Sequence, residues 1–291
     1  MTADTTPARR LLRQRLEREA PVFAPVCLEP LQGRMIDELG YGAAYLSGGG
    51  LGYAYAVSEA LLTLTEVADA ARRITQRCAA PLIVDGGVGF GDAVHAARAI
   101  WELEAAGAAA VELEDQVAPK RVSHHRGVEH LIPLEEMTAK IAAAAAARTD
   151  PGFLIIARTG AVRHEGWEQA IARARAYRAA GADLLMLFPQ TEEQWRAAPE
   201  LLDGAPLAAM ASFSTHTKAE WAALGWRLVI DPFTGQVLAY DAMRESYRRY
   251  LEEDSTGRPA REVWKIYETL QRVAGLEPLY DLERATTEPG T

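Results

Sequence analysis

Polar residues follow several short apolar segments of this 291-residue chain, and their types suit carboxylate and metal chemistry. The apolar segment 81–84 leads directly into Asp85, and a glycine-rich stretch follows as far as Gly91. A metal ion or an anionic substrate can approach a carboxylate on such an open backbone closely. The pattern therefore predicts that Asp85 lies at the mouth of a binding site.

A second group of acidic residues surrounds the end of the apolar segment 109–113. Glu114 follows this predicted strand as Asp85 follows the previous one, and two carboxylates on neighbouring strands suit Mg²⁺ bound partly through water. The alternative is that nearby lysine and arginine side chains neutralise the pair. The charged loop Lys120–Arg126 comes next, and its two histidines and three cations favour an active-site lid over a solvated turn.

Three further segments carry groups that could bind anions. Arg158 ends the apolar segment 153–157, where it would be either a bidentate clamp for a carboxylate or phosphate, or half of a structural ion pair. The N–H groups of Ser47–Gly50 would either cradle an anion or form a plain turn. Gln190 follows the apolar segment 183–188. All these residues come just after apolar segments, so those segments must bring them together.

A repeated junction indicates which elements position these residues. A helical segment, a glycine and an apolar strand follow one another at Gly40, Gly107, Gly181 and Gly225. Glycine past a helix end takes the left-handed conformation that turns the chain back, and the apolar strand after it is typical of a buried parallel sheet. Eight strands are predicted in this way, with helices between most of them: 22–26, 43–46, 82–85, 109–113, 153–157, 183–188, 206–211 and 227–230.

Eight strands alternating with helices predict an α/β fold, a (β/α)8 barrel of the TIM type, over residues 1–235. An open doubly wound sheet is the alternative, but no GxGxxG motif follows the first strand. In a parallel barrel the active site lies at the C-terminal ends of the strands, where the residues named above are placed. Residues 236–291 form a C-terminal helical extension, with helices predicted at 236–253 and 259–274. They would pack on their own barrel or be exchanged with a neighbouring subunit.

Composition narrows the range of partners. The chain has 31 basic and 40 acidic residues, a net charge of −9 and no basic stripe, which argues against nucleic acid or an anionic membrane as the main partner. Its two cysteines are not spaced as metal ligands, and no segment approaches the roughly 20 apolar residues of a membrane span. These features favour a cytoplasmic protein that binds a small-molecule carboxylate.

Together these motifs resemble the isocitrate lyase and phosphoenolpyruvate mutase superfamily, and within it the short methylisocitrate lyases and dimethylmalate lyases. The resemblance covers roughly residues 10–285. The matching segments keep the order and spacing of the superfamily: Ser47–Gly50, Asp85 with Gly89–Gly91, Glu114–Val117, Pro119–Arg121 with His124, Ala157–Thr159 and Gly275–Glu283.

The resemblance implies a fold, an assembly and a chemistry. The eighth barrel helix would be exchanged between the subunits of a dimer, often paired into a tetramer, and Mg²⁺ would bind at the strand ends. A 2-hydroxy acid would lose its hydroxyl proton, a carbon–carbon bond would break, and Mg²⁺ would stabilise the enolate charge of the oxo-acid. Carried over to this chain, Ser47, Gly48 and Gly49 would hold the oxo-acid, Asp85 and Glu114 the metal, and Arg158 a carboxylate, while Lys120 and His124 would line the gate.

The chain departs from the superfamily pattern at five positions. Val122 stands where the lyases have the cysteine that protonates the carbanion, and valine cannot donate a proton. These changes predict a less charged pocket in which Mg²⁺ binding is weak or lost, and in which water, Ser123 or His124 supplies the proton. Three of the four other changes remove a carboxylate, because Gly87 and Gly160 replace aspartates and Gln190 replaces a glutamate; in the fourth, Met210 replaces an asparagine.

Three functions are open from the sequence. The first is a lyase or hydrolase that acts on a carbon–carbon bond of a 2-oxo or 2-hydroxy acid. The second is a phosphonopyruvate hydrolase or mutase, and the third is a catalytically silent barrel that binds a small acid. The retained polar residues favour the first. In it the catalytic residues are Lys120, Ser123, His124 and Arg158, and the substrate-binding residues are Ser47, Gly48, Gly49, Arg158 and Gln190.

Overall fold

The strands follow the prediction closely. A computed structural model of the chain describes residues 6–18 and 21–288, so the outer limits of the predicted domains, residues 1 and 291, lie outside the described residues. Every strand overlaps its predicted segment. The eight strands in the described part of the chain are β1 Val22–Pro25, β2 Ala44–Leu46, β3 Leu82–Asp85, β4 Ala110–Glu114, β5 Leu154–Arg158, β6 Leu184–Met186, β7 Leu207–Met210 and β8 Leu228–Asp231.

Helices separate the strands and continue after the last one. Two 3₁₀ turns, Glu59–Leu61 and Val122–Arg126, lie near the C-terminal ends of the strands. Within residues 6–18 and 21–288 the α-helices are α1 Pro7–Leu16, α2 Pro30–Glu38, α3 Gly48–Ala54, α4 Leu64–Thr75, α5 Ala93–Ala105, α6 Leu134–Ala147, α7 Ala161–His164, α8 Trp167–Ala179, α9 Glu192–Leu201, α10 Lys218–Ala223, α11 Thr234–Glu253, α12 Ala260–Ala274 and α13 Glu277–Thr286.

The strands form one parallel sheet that closes on itself. Its order is β1-β8-β7-β6-β5-β4-β3-β2. A parallel bridge between Val26 and Tyr45 joins the two ends, and Cys27 N–H donates to the carbonyl of Tyr45 at 2.8 Å. The predicted (β/α)8 barrel is therefore confirmed, and the doubly wound alternative is wrong. In this register Asp85 pairs with Glu112 and Glu114 pairs with Arg158.

The glycine junctions turn the chain as expected. Gly107 and Gly181, which precede β4 and β6, have φ angles of 86° and 111°. An added Cβ would lie 2.9 Å from Thr75 Oγ1 at Gly107, and 2.8 Å from Ala145 Cβ at Gly181. Both the positive φ and the close packing require glycine at these two turns.

Two apolar layers hold the barrel together. The inner layer fills the barrel, and the outer layer lies between the strands and the surrounding helices. Because successive side chains of a strand point to opposite faces, strands with both faces buried read as continuous apolar runs. The inner layer includes Tyr45, Ile83, Ile156, Met186 and Ile230, and the outer layer includes Leu46, Val84, Val111, Ile155 and Val229.

The C-terminal helices differ from the barrel helices. Within the described residues, α11, α12 and α13 contain no buried residue. They contact the barrel at a few points, including an ion pair of 2.7 Å between Arg272 and Glu38 and a hydrogen bond of 2.8 Å from Gln236 to the carbonyl of Gly50. No helix in the described part of the chain is both long and apolar enough to cross a membrane.

Candidate active site

Asp85 ends β3 and faces a small cavity. Its Oδ1 accepts a hydrogen bond from Gly87 N–H (2.9 Å), and its Oδ2 accepts one from Gly48 N–H (3.1 Å). These bonds fix the carboxylate between the β3–α5 loop and the start of α3. The cavity has a volume of about 160 Å³, which suits a small acid better than a drug-sized molecule. Its polar lining includes Asp85, Glu59 and Lys120.

Glu114 is held by two cations. It ends β4, and its Oε2 lies 3.1 Å from Arg158 Nη2 on the neighbouring strand. Its Oε1 lies 2.5 Å from Lys120 Nζ. The structure therefore brings together three residues that the sequence analysis predicted for the site, and both cations face an acidic partner of the same protein.

Glu112 lies under the guanidinium of Arg158. It is two residues before Glu114 on β4, so the two side chains share a face of the strand. Glu112 Oε1 accepts from Arg158 Nη1 at 2.8 Å, and Oε2 accepts from the hydroxyl of Tyr45 at 2.9 Å. The Glu112 side chain is 1% exposed. Arg158 is thus bonded to a glutamate at each Nη, while its guanidinium carbon lies 5.0 Å from the centre of the Phe188 ring.

Glu59 connects the predicted lid to the cavity. It begins the first 3₁₀ turn, and its Oε1 lies 2.8 Å from Lys120 Nζ and also contacts His124 Nε2. The other ring nitrogen of His124 lies 2.7 Å from the carbonyl of Arg121. His125 adds a hydrogen bond of 2.9 Å to Ser58 Oγ. These contacts draw the loop after β4 against the turn at residues 59–61, over the acidic strand ends.

The titration behaviour of the carboxylates follows from burial and from their neighbours. Burial and the charge of Glu59 raise the pKa of Asp85. Burial raises the pKa of Glu112 to about 7, although the charge of Arg158 opposes the shift. Burial alone would also raise the pKa of Glu59, but its hydrogen bond with His124 and the charge of Lys120 lower it on balance. Cationic partners therefore do not fully offset burial at Asp85 and Glu112, whereas they do at Glu59.

The start of α3 packs closely against these carboxylates. Ser47 Oγ accepts a hydrogen bond from Gly50 N–H at 3.0 Å and so caps the helix. A Cβ added to Gly48 would lie 2.9 Å from both Asp85 Oδ2 and Glu59 Oε2. Only glycine leaves room for the two carboxylates here. Gly48 thus lies beside Asp85, and the role of Ser47, Gly48 and Gly49 in holding the oxo-acid stays a prediction.

The acidic group fits a cation such as Mg²⁺. Oxygens of Asp85 and Glu59 converge on the space beside Gly48. Burial raises the pKa of Asp85, and the negative charge of Glu59 raises it further. Glu114 Oε1 is buried without a well-directed hydrogen bond among the described residues, in spite of the nearby ammonium of Lys120. In the same residues no group of three or more His, Cys, Asp or Glu side chains is placed so that it could hold a metal ion by itself. An ion that keeps much of its water, as Mg²⁺ does, matches this arrangement.

A second layer of polar contacts fixes the strand ends. The carboxylate of Asp115 is buried behind Glu114 and accepts hydrogen bonds from Gly160 N–H (3.1 Å) and the hydroxyl of Tyr177 (2.8 Å). Arg173 lies 3.5 Å from the same carboxylate and pairs with Glu165. This network anchors the segment that follows Arg158, which restrains the position of its guanidinium.

Most of the predicted residues come together, but two are placed differently. Gln190 is exposed, and its backbone N–H bonds to the side chain of Gln194 at the start of α9. Ser123 lies in the second 3₁₀ turn and is half-buried beside His124. The roles assigned to Gln190 and Ser123 stay predictions, as do those of the other site residues.

The sequence analysis did not predict Tyr45 for the site and gave Glu112 no role, and the superfamily resemblance left open whether Glu59 replaces another aspartate of the metal shell. Glu112 could have been found from its spacing of two residues from Glu114, which puts both on one face of a strand. Glu59 and Tyr45 carry no such signal. Glu59 reaches the site only through a short turn, and Tyr45 lies within an apolar strand.

The structure shows what surrounds three of the five positions that depart from the superfamily pattern. Val122 is 54% exposed. Gly87 has φ 50°, and nothing lies within 4 Å of an added Cβ, so the space of the replaced aspartate is open. At Gly160 the space is filled, because Glu129 Oε2 lies 2.2 Å from the position of an added Cβ. Glu129, which follows the lid loop, thus occupies the place from which a strand-end aspartate would project.

Known proteins resemble this chain in sequence over most of its length. A 2,3-dimethylmalate lyase of Eubacterium barkeri is 33% identical over 278 residues, which are 94% of this chain and 96% of the lyase. Methylisocitrate lyases are also among the relatives. The predicted resemblance to these two groups of lyases is therefore confirmed.

Solved structures agree with the sequence relatives. Oxaloacetate acetylhydrolase in complex with 3,3-difluorooxalacetate superposes with a TM-score of 0.87 at 29% identity, over 98% of each chain. Phosphonopyruvate hydrolase in complex with oxalate and Mg²⁺ superposes with a TM-score of 0.84 at 28% identity, over 97% of this chain and 100% of the hydrolase. Residues 12–251 match the phosphoenolpyruvate phosphomutase family. The chain therefore belongs to the phosphoenolpyruvate phosphomutase family, within the isocitrate lyase superfamily.

Proposed function

We propose that this protein is a lyase or hydrolase that acts on a carbon–carbon bond of a 2-oxo or 2-hydroxy carboxylic acid. The observation that carries the proposal is the buried network at the barrel mouth, in which Asp85 faces a small cavity beside Gly48 and Lys120 links Glu59 to Glu114. A dimethylmalate lyase and an oxaloacetate acetylhydrolase among its relatives support the reaction class. Such reactions need a group that stabilises an enolate and a group that moves a proton.

The enolate would be stabilised by Mg²⁺, with Asp85 and Glu114 as the residues that hold it, partly through water. When bound, the ion would polarise the oxo group and neutralise the developing negative charge. The complex of phosphonopyruvate hydrolase with Mg²⁺ supports this assignment. The chain itself contributes orientation: Gly48 N–H and Gly87 N–H fix Asp85, and Arg158 fixes Glu114.

His124 is proposed to supply the proton that the cysteine supplies in the related lyases. Its ring nitrogens lie beside two acceptors, the carbonyl of Arg121 and the carboxylate of Glu59, and this arrangement favours the protonated ring. The hydrogen bond with Glu59 raises the pKa of His124, although burial opposes this. Glu59 lines the cavity, so a proton can pass from His124 through Glu59 to the carbanion.

The proposal is tested with the purified full chain, Mg²⁺ and a panel of 2-oxo and 2-hydroxy acids, with product acids followed by proton NMR. Asp85→Ala and Arg158→Ala should each reduce kcat/KM for the best substrate by roughly 10²-fold or more. Asp69→Ala and Arg98→Ala are matched controls, because both residues are on exposed helix surfaces. Full turnover by Asp85→Ala and Arg158→Ala would contradict the proposal.

Phosphonopyruvate hydrolysis is the second candidate, because a phosphonopyruvate hydrolase covers 97% of this chain at a TM-score of 0.84. Phosphorus NMR on a mixture of the protein, Mg²⁺ and phosphonopyruvate tests it directly. The loss of the aspartate at Gly87 weighs against it, since this change weakens the metal site. An unchanged phosphonate signal would remove this candidate. Calorimetry with Mg²⁺ and pyruvate excludes a silent barrel if metal-dependent binding is seen.

The assembly is proposed to be a dimer, or a tetramer of two dimers, with C-terminal helices exchanged between subunits. The apolar side chains that α11 and α12 expose support it. So does an open groove of about 870 Å³ lined by residues of α2, α3 and α11. Light scattering on the full chain tests the mass, and a monomer would contradict the proposal. The exposed apolar residues include Val237, Leu238, Tyr240, Met243, Tyr247, Leu251, Trp264 and Tyr267.

The division into a barrel over residues 1–235 and an extension over residues 236–291 also stays a proposal, as does a cytoplasmic location.

A further inference from the structure

The contacts of Arg158 restrict which acid the site can accept, if the proposed function holds. We propose that Glu112 is a specificity-determining residue that keeps a second substrate carboxylate away from Arg158. The preferred substrates are then 2-oxo or 2-hydroxy acids with one carboxylate and an uncharged substituent.

The first support is that both Nη atoms of the guanidinium already have a glutamate partner. Arg158 donates through Nη1 to Glu112 at 2.8 Å, and its Nη2 lies 3.1 Å from Glu114. An arginine recognises a carboxylate best through two parallel hydrogen bonds, which need two free N–H groups on one edge. A second substrate carboxylate that binds across the two Nη atoms would have to displace at least one glutamate, and that glutamate would lose its charged partner while buried.

The second support is that Glu112 is firmly held. Its Oε2 accepts the hydroxyl of Tyr45 at 2.9 Å, and that tyrosine is completely buried in the barrel. Glu112 cannot swing away without leaving the hydroxyl of Tyr45 unpaired, which costs free energy in a buried position. The carboxylate of Glu112 is therefore held in a fixed position inside the barrel, next to the guanidinium of Arg158.

The third support is the balance of charge around the cavity. Lys120 and His124 contact Glu59, and Lys120 also contacts Glu114, so these cations have acidic partners too. Mg²⁺ would serve the oxo group and the first carboxylate of the substrate. Among the residues that the structure describes, a second carboxylate would find no unpaired cation of this network.

The fourth support is the apolar character of the barrel mouth at the ends of β6 and β7. Phe188 and Met210 follow or end β6 and β7, and both pack against the inner apolar layer at the barrel mouth. Phe188 also covers the face of the Arg158 guanidinium. An alkyl substituent next to these side chains gains apolar burial, whereas a carboxylate would lose its hydration without compensation.

Two ligands of similar shape test the inference. Oxaloacetate carries a carboxylate where 4-methyl-2-oxopentanoate carries an isopropyl group of the same number of heavy atoms. Their affinities for the full chain in the presence of Mg²⁺ are measured by calorimetry at a pH above the pKa of about 7 of Glu112, so that this carboxylate is ionised, and competition with pyruvate places both in the same site. We expect the isopropyl compound to bind at least about tenfold more tightly, because like charges in contact are strongly unfavourable.

The variant Glu112→Gln removes the charge and keeps the shape of the side chain. It should reduce the preference for the isopropyl compound by about tenfold, mainly through tighter binding of oxaloacetate. Tyr45→Phe leaves the charge of Glu112 but removes the hydrogen bond that holds this carboxylate, so it should reduce the preference by less than Glu112→Gln does. A change of stability alone would not alter the ratio of the two affinities.

The outcomes separate this inference from the proposed function. Oxaloacetate binding to the unaltered protein as tightly as the isopropyl compound would overturn the inference and leave the proposed function intact. An unchanged ratio in Glu112→Gln would also overturn the role of Glu112. Failure of both ligands and of pyruvate to bind with Mg²⁺ would overturn the proposed function, and the inference with it.

Discussion

The two halves of the barrel mouth differ in the side chains that they present. β3 and β4 end in carboxylates, and the turn at residues 59–61 adds Glu59 to them. β6 and β7 instead present Phe188 and Met210. β8 ends in an aspartate, Asp231, but this carboxylate accepts hydrogen bonds from three backbone N–H groups and so acts as a structural cap.

The difference assigns separate tasks to the two halves. Buried carboxylates with shifted pKa values, close to an open cavity, can hold a cation and move protons. An apolar wall can do neither, but it selects the shape and charge of the substrate. Arg158 lies on the boundary, with its Nη groups on the glutamates and the face of its guanidinium against Phe188. Each prediction below alters one half and measures whether the other is affected.

The largest effect is expected from removal of the proposed proton donor in the acidic half. His124→Asn should lower kcat by roughly 10²- to 10⁴-fold, because a general acid contributes that much to proton transfer. Pre-steady-state assays with the best substrate measure it. Ser123→Ala, in the same 3₁₀ turn, is the control and should retain most of the activity. The opposite result would make Ser123 the donor.

A gain of metal affinity is expected from Gly87→Asp. The space at this position is open, and its φ of 50° is a conformation that aspartate and asparagine tolerate better than other side chains. A restored carboxylate should tighten Mg²⁺ binding by roughly 10- to 100-fold, measured by calorimetry. Gly87→Asn adds the same backbone strain without the charge. Equal metal affinity in the two variants would show that this carboxylate does not contribute.

The apolar half is altered by Phe188→Ala. The loss of apolar contact should weaken the binding of 4-methyl-2-oxopentanoate by about tenfold and leave Mg²⁺ affinity nearly unchanged. Calorimetric titrations with each ligand measure the two effects separately. Phe188→Leu, which keeps an apolar side chain, should lose less. If Mg²⁺ affinity falls as much as that of the oxo-acid, the two halves are not independent.

The smallest effect concerns the floor of the acidic half. Tyr45→Phe removes one buried hydrogen bond to Glu112 and should lower the free energy of unfolding by about 1 kcal/mol. Urea titration followed by tryptophan fluorescence measures it. The exposed Tyr240→Phe serves as the reference and should change nothing. A stability loss equal to that of Tyr240→Phe would mean that the hydrogen bond contributes nothing net.

The barrel was predictable because its signals are local. A glycine with positive φ after each of four helices, followed by a short apolar strand, fixes where the chain turns back, and Gly107 and Gly181 adopt the expected conformation. Asp85, Glu114 and Arg158 were placed correctly at the mouth because the end of a parallel strand is a local feature, and all such ends meet on one rim.

The partners of these residues were not predictable in the same way. The sequence left Arg158 between a substrate clamp and a structural ion pair, and only the β4–β5 register shows that Glu112 and Glu114 both face it. Glu59 and Lys120 are 61 residues apart, and their contact depends on the lid loop folding against a turn after α3. Contacts of this kind depend on tertiary packing, which neither periodicity nor local propensity encodes.

The sequence by itself determined the barrel, the rim on which the chemistry lies and the superfamily, because strand period, turn glycines and motif order are local properties of the chain. Only the tertiary structure decided how charge is shared on that rim. Burial and a few ångströms of separation determine which carboxylate is paired, which is left facing a cavity, and which arginine is already occupied. The roles open to Asp85, Glu114 and Arg158 are therefore restricted by the neighbours that only the structure shows, which are Glu59, Glu112 and Tyr45.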